Sequence, residues 1–334
     1  RTTISTCRPS TGVTMSGIPG DPISNEKGQY TAQVEYNWSG TVTPTKEGVN
    51  FTPPSKEYSA VTQNQTQDYR AQPIFFKISG NISGNYELMI RNNGSYETIL
   101  SGTSNTYGGP TTVASGTLKL GRDNVLPTGA VLQMGYSTLY GKLDLNGHSQ
   151  QVAELTVQGS PNQDLNEVTN SGTGAAKTLT VNQSVTADYS GKITGNLALV
   201  KSGSGTLTLS GSNTFSGQLS VKAGTLAVAT ANNASANGPL GNSASAVVLG
   251  DTGGVTGTLE YTGSTASSTK PFTLASGGTG AIQVDTAGTN LTLSGLIDGS
   301  GALTKTGSGT LTLSGSNTYS GQTTVSAGVL NIRH

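Results

Sequence analysis

The residues able to do chemistry in this 334-residue sequence are few and scattered. Two carboxylate pairs, Asp144 with Glu154 and Asp164 with Glu167, are near enough in sequence for strand geometry to juxtapose them. Carboxylates about 5 to 10 Å apart are what glycoside hydrolysis needs, one as acid and the other as nucleophile or base. Both pairs fall in turn-rich segments, where a solvated surface role is expected. The imidazoles, His148 and His334, are far apart in sequence and have no neighbouring Cys ligands, so they form no zinc motif. Gly253-Gly254-Val255-Thr256-Gly257 lacks the acid of a calcium-binding nonapeptide. Gly203-Ser204-Gly205 and Gly307-Ser308-Gly309 carry part of a nucleophile elbow without a matching His and acid, and are read as turns. Cys7 is the one cysteine, so no intrachain disulfide forms; it is read as an incidental free thiol in an irregular segment, with a bridge between subunits as the alternative. The expectation is a non-enzymatic chain with no catalytic residue, cofactor or metal.

Elements must position whatever these residues do, and composition says which elements are possible. Gly contributes 47 residues, charged residues 11% and aromatics 5%, too little bulk for a conventional core. Disorder would fit low hydrophobicity, yet disordered chains usually carry high net charge, and here 18 basic residues balance 18 acidic ones. That balance, with no basic stripe, removes the electrostatic footprint of a nucleic-acid binder. No apolar run approaches the ~20 residues that span a bilayer as a helix, so membrane insertion by this chain is not expected. Starting at Arg1 without a signal-peptide pattern, the chain reads as a processed polypeptide or a piece of one.

An internal repeat decides the fold. The segment from Ser190, S-G-K-I-T-G-N-L-A-L-V-K-S-G-S-G-T-L-T-L-S-G-S-N-T-F-S-G-Q-L-S-V-K-A-G-T-L, returns without a gap from Ser294. A more divergent copy starts at Ser79, giving one architecture over residues 79–334 with units 79–189, 190–293 and a partial 294–334. Thr206-Leu207-Thr208-Leu209 and Thr225-Leu226-Ala227-Val228 alternate apolar with small or polar residues, the period of a half-buried strand. Gly203, Gly205, Gly211, Gly217 and Gly224 interrupt every few residues, leaving no room for a helix of useful length. A propeller would repeat every ~40 to 50 residues and favour Asn-Gly or Asp-Gly hairpins, which are scarce. The remaining solution is all-β: a right-handed parallel β-helix, or β-solenoid, whose rungs stack with a ~4.8 Å step.

The motif G-S-G-T-L-T-L-S-G-x-N-T-[YF]-S-G, from Gly203 to Gly217 and from Gly307 to Gly321, closely resembles the autotransporter-associated β-strand repeat, also called the passenger-associated transport repeat. Gly141 to Leu155 resembles the L-x-L-N-G-x-x-Q-x-V-x-x-L rung of the same proteins. The resemblance implies a bacterial β-helix exported to the outer cell surface or the extracellular space, in adhesins or matrix proteins. Within the repeat, Asn105, Asn213 and Asn317 recur at one position, each followed by Thr and then by Tyr107, Phe215 or Tyr319. An Asn at a turn can bond the backbone inwardly, and the aromatic can cover the corner; a shared lateral carbohydrate pocket made by the three aromatics is the functional alternative.

The two ends differ. Pro9, Pro19, Pro22, Pro44, Pro53 and Pro54 argue against long central strands in residues 1–78, which are expected to form an irregular N-terminal cap or an arm docking on a neighbour. Entry into the helix is expected near Ile74 to Ile78. At the other end Val329, Leu330, Asn331 and Ile332 form a strand of the best repeat copy, with no polar capping repeat after it. An open edge templates pairing with another chain, and head-to-tail contacts propagate into filaments. The expected partners are copies of the chain itself, in fibres or matrix. An adhesin binding glycans or cells is the alternative, and a polysaccharide-degrading β-helix the third reading.

Overall fold

The computed structural model describes residues 2–5, 11–46, 49–73, 75–92, 96–159 and 162–333. Cys7, Ile74 and His334 lie outside the described residues. The chain divides into two compact units, residues 1–76 with 92–97, and residues 77–91 with 98–334.

In the first unit Thr2–Ser5 runs antiparallel to Thr31–Val34, Val49–Thr52 runs antiparallel to Arg70–Pro73, and Trp38–Thr45 pairs antiparallel with both Thr14–Ser16 and Lys56–Val61. Ile4, Met15, Val34 and Val42 are buried in a core of its own, beside Tyr30 and Tyr58. The irregular cap or arm expected from the prolines is therefore more ordered than that. The reason is visible at Pro44, which lies opposite Met15 where its strand has a neighbour on one side only, so its missing N–H breaks no ladder.

The second unit is a parallel β-solenoid of about 11 turns, with essentially no helix beyond the 3-10 turn Gln163–Leu165. Each turn visits three faces. One face stacks Thr206–Leu209, Gly224–Val228, Thr256–Tyr261, Thr279–Val284, Ala302–Thr306 and Thr323–Val325 in parallel register. Another runs unbroken through seven strands, from Gln150–Val152 by way of Lys177–Asn182, Leu197–Ser202, Leu219–Val221, Val247–Leu249 and Phe272–Leu274 to Ile297–Gly299. The third ends in Ala266–Ser268, Asn290–Leu293, Thr310–Leu313 and Val329–Ile332.

Alternation places every second residue inside: Leu197–Ser202 reads buried and half-buried by turns. The inward residues of successive rungs superpose, so that Leu207, Leu226, Leu259 and Ile282 form one fully stacked column. Ladder hydrogen bonds and this stacking replace bulky side chains, and one contiguous apolar core runs from Ile90 to Leu313. Rungs are unequal in length, because segments such as 229–246 add residues between strands and return Leu240 to the core while the ladders keep register: Leu226 pairs with Leu207, 19 residues before it, and with Leu259, 33 residues after it.

Corners demand glycine where two rungs touch. Gly203 and Gly307 both have φ of 74°, and a Cβ there would lie 2.4 Å from the Gln183 carbonyl oxygen and 2.3 Å from that of Val284. Neither the left-handed conformation nor the space admits a side chain.

The repeat copies do not share one orientation. In the copy from Ser190, Leu197–Ser202 belongs to the seven-stranded face, whereas its counterpart Ala302–Thr306 belongs to the next face round. The motif thus specifies a strand, a corner and a strand, whichever face it begins on.

Candidate functional site

The recurring asparagines are clamps between rungs. Asn213 is fully buried; its Oδ1 accepts the Ile193 N–H of the rung below at 2.9 Å, and its Nδ2 donates to the Pro239 carbonyl of the rung above at 3.3 Å. Asn105 does the same with the Ile82 N–H and the Val125 carbonyl, both at 2.8 Å. One side chain thus satisfies a donor and an acceptor that the turn leaves without ladder partners. Asn317 accepts the Ile297 N–H at 2.9 Å, but its Nδ2 has no partner among the described residues.

The aromatics two residues on point inward. Phe215 is 0% exposed and Tyr107 3% exposed, and the Tyr107 hydroxyl shares a 2.6 Å hydrogen bond with Thr111. Burial pushes the Tyr107 phenol up to about 12, against the opposing pull of that bond. Tyr319 is half-buried, with its hydroxyl accepting from Thr323 at 3.1 Å. A lateral carbohydrate pocket made by Tyr107, Phe215 and Tyr319 is therefore ruled out: two of the three rings are buried.

Of the carboxylate pairs weighed from sequence, Asp144 and Glu154 are not brought together. Asp144 is buried and holds a turn, accepting from the backbone of Asn146 and Ser171 and from the Ser171 hydroxyl at 2.6 Å. Glu154 lies in the ladder stacked over Thr111–Val113 and Val131–Met134, whereas Asp144 lies in the separate ladder over Gly116–Lys119. Asp164 is exposed, whereas Glu167 meets Lys142 at 2.9 Å and accepts from Thr194. Burial would raise the Glu167 carboxyl, but these bonds and the Lys142 charge outweigh it and hold it low. His148 lies 3.3 Å from Asp123, whose carboxyl is held low chiefly by the Ser149 N–H. Among the described residues no three acidic, His or Cys side chains gather as metal ligands.

Sequence reasoning missed the buried lysines. Lys201 Nζ donates to the carbonyls of Ser202, Gly203 and Ala223 at 2.8, 2.9 and 3.2 Å, and Lys305 repeats the cage with Thr306, Gly307 and Ala327 at 2.5, 2.9 and 3.2 Å. Lys270 reaches the carbonyls of Gly241 and Ser243. All three are at most 1% exposed. Burial pulls Lys201 and Lys270 down to about 8 and Lys305 down as well. The signal was present in the alternation, since Lys201 continues the inward series Leu197, Leu199 and Lys305 follows Leu303.

The predicted edge strand is present. Val329–Ile332 pairs with Thr310–Leu313 on one side, as Thr323–Val325 pairs with Ala302–Thr306, and Val329 and Ile332 are 49% and 56% exposed. Behind them Leu313, Gly315, Asn317, Tyr319 and Ile332 line a cavity of about 300 Å³. No described helix is long and apolar enough to cross a membrane.

Comparison with known proteins agrees with this geometry. The passenger-associated transport repeat family matches at residues 94–120, 199–228 and 303–332. The adhesin BmaC autotransporter of Brucella suis biovar 1 (strain 1330) is 37% identical over 193 residues, covering 56% of this chain. The chain spans only 5% of that protein's length. No solved structure matches. The three family matches fall on the three clamp-bearing copies of the solenoid, so the chain carries the passenger-associated transport repeat in three places.

Proposed function

We propose that the chain is a non-catalytic structural segment of a bacterial surface adhesin, displayed outside the cell, whose copies associate head to tail into fibres or matrix. The observation that carries this reading is the one-sided pairing of Thr323–Val325 and Val329–Ile332 on two adjacent faces. Such an edge offers a row of unpaired backbone donors and acceptors in the register of a further rung. The repeat family and the adhesin relative support an outer-surface setting.

The experiment is negative-stain imaging with solution scattering over a concentration series. Elongated species with an axial repeat near one subunit length are expected, and Leu330→Pro, which removes a ladder N–H from the edge, should shorten or abolish them. Strict monomers at the highest concentration would overturn the assembly.

A second reading, lateral adhesion to glycans, rests on Tyr136, Tyr140 and Leu165. They lie on two stacked turns and are 42%, 40% and 47% exposed. Exposed phenol faces suit stacking against the apolar faces of sugar rings.

A further inference from the structure

Acidic side chains that reach a neighbouring rung on the solenoid surface meet a cation or a hydroxyl there. Glu167 meets Lys142, Asp251 meets Lys222 at 3.3 Å, and Asp298 accepts from the Thr273 hydroxyl at 2.6 Å. Glu260 and Asp285 are matched differently. Glu260 lies in register beside Gln283 of the next rung, and the Gln283 amide donates at 3.1 Å to the Glu260 carboxylate and at 2.7 Å to that of Asp285. One nitrogen bonded to both keeps the two carboxyl oxygens no farther apart than those bonds laid end to end. Both acids are half-buried, and neither meets a cation among the described residues. No other titratable side chain faces them. The strands stacked on this row contribute Ala227, Gln283 and Thr306, and the corners 262–265, 286–289 and 307–309 contain no charged residue. Tyr261 and Lys305 belong to the same strands but are buried in the core on the other side of the sheet.

The two acids cannot drift apart while the ladder is closed. Glu260 is fixed by its strand, and Asp285 is tied on both sides: its N–H donates to the Tyr261 carbonyl of the rung below, and its carbonyl accepts from the Ser308 hydroxyl of the rung above. Like charges so confined are relieved by a shared proton or by opening of the rungs. We propose that Glu260, Gln283 and Asp285 form a proton-sensitive latch, which closes the ladder between Thr256–Tyr261 and Thr279–Val284 more tightly in mild acid than at neutral pH. Burial first, then the hydrogen bond to Asp285 and its charge, raise the Glu260 carboxyl above its ordinary 4.5. A raised carboxyl contributes stability that is complete below 4.5 and is lost as pH rises through the raised value, where the folded chain gives up a proton the unfolded chain has already released. Asp123 and Glu167 are held low, so their contributions are lost in acid instead. The latch therefore shows in its own two rungs rather than in the stability of the whole chain.

Hydrogen exchange of the full chain, read locally by mass spectrometry, tests the latch. Glu260→Gln and Asp285→Asn each replace one acid by an uncharged amide of the same shape, and each is compared with the wild type at the same pH, so that intrinsic exchange cancels. At pH 7.5 both variants should exchange severalfold more slowly than the wild type in Thr256–Tyr261 and Thr279–Val284, with Leu197–Ser202 unchanged. At pH 4 the difference should vanish, because the wild-type pair then holds its proton. A difference of equal size at both pH values, no difference at either, faster exchange of the variants at pH 7.5, or a change spread evenly to Leu197–Ser202 overturns the proposal. Carboxyl-carbon NMR gives a second readout. The Glu260 resonance, assigned by its loss in Glu260→Gln, should titrate at a lower pH in Asp285→Asn than in the wild type; a midpoint unmoved by that change also overturns the latch.

Discussion

Lys201 and Lys305 occupy places that apolar residues fill in neighbouring rungs: Lys201 stacks between Val181 and Val221, and Lys305 between Ile282 and Val325. Each ammonium has carbonyl oxygens as its partners, with no carboxylate among them. Carbonyl bonding favours the charged form and burial disfavours it, and burial prevails in bringing Lys201 down to about 8 from the ordinary 10.5. The consequence for pH has a definite sign. Between about pH 8 and 10.5 the unfolded chain holds the proton and the folded chain has released it, so stability rises with pH through that window. Urea midpoints measured at pH 7.5, 9 and 10 should increase for the wild type, and less steeply for a Lys201→Met, Lys270→Met double variant. Replacement by Met also takes the donor from the Gly203, Ala223 and Ser243 carbonyls, at roughly 1 to 3 kcal/mol for each unsatisfied group, so the variant should be less stable at every pH.

At the level of the element, the unit is a strand, a glycine corner and a strand. Gly203→Ala must place a methyl group 2.4 Å from the Gln183 carbonyl while holding φ at 74°. The strain and the clash together should cost on the order of 2 to 4 kcal/mol. Because each rung contacts only its neighbours, the loss should be local. Hydrogen exchange should quicken in 177–183 and 197–209 well before the rungs near Leu291 respond. Strands, corners and the absence of helix were legible in the sequence, since alternation and glycine spacing are local properties. Rung lengths were not: nothing in residues 229–246 announces how much chain lies between Val228 and Val247 before the next rung, and the stacking of Leu259 on Leu226 sets how much the segment absorbs.

For the whole molecule, three faces and unequal rungs mean that equivalent motif positions need not line up. The copy from Ser190 is turned by one face relative to the copy from Ser294, so a binding site assembled from equivalent residues of successive copies has no common surface. The proposed lateral reading therefore rests on local groups of exposed residues such as Tyr136, Tyr140 and Leu165. On immobilised glycans, binding by the wild type that is lost in a Tyr136→Ala, Tyr140→Ala variant of unchanged circular dichroism would support adhesion through this cluster. Wild-type binding that survives the change would place recognition elsewhere.

By itself the sequence determined the all-β architecture, the stacked repeat, the inward turn role open to Asn105, Asn213 and Asn317, and an edge strand at Val329–Ile332. Each follows from a spacing of two, from glycine punctuation or from a motif returning along the chain. Only tertiary structure decided that Asp144 and Glu154 lie on different faces, that Phe215 is covered, that lysines stand in the apolar columns, and that the Asn317 amide and its cavity are open. Those facts concern residues about one rung apart, and the number of residues in a rung is set by register between ladders, which no local pattern encodes.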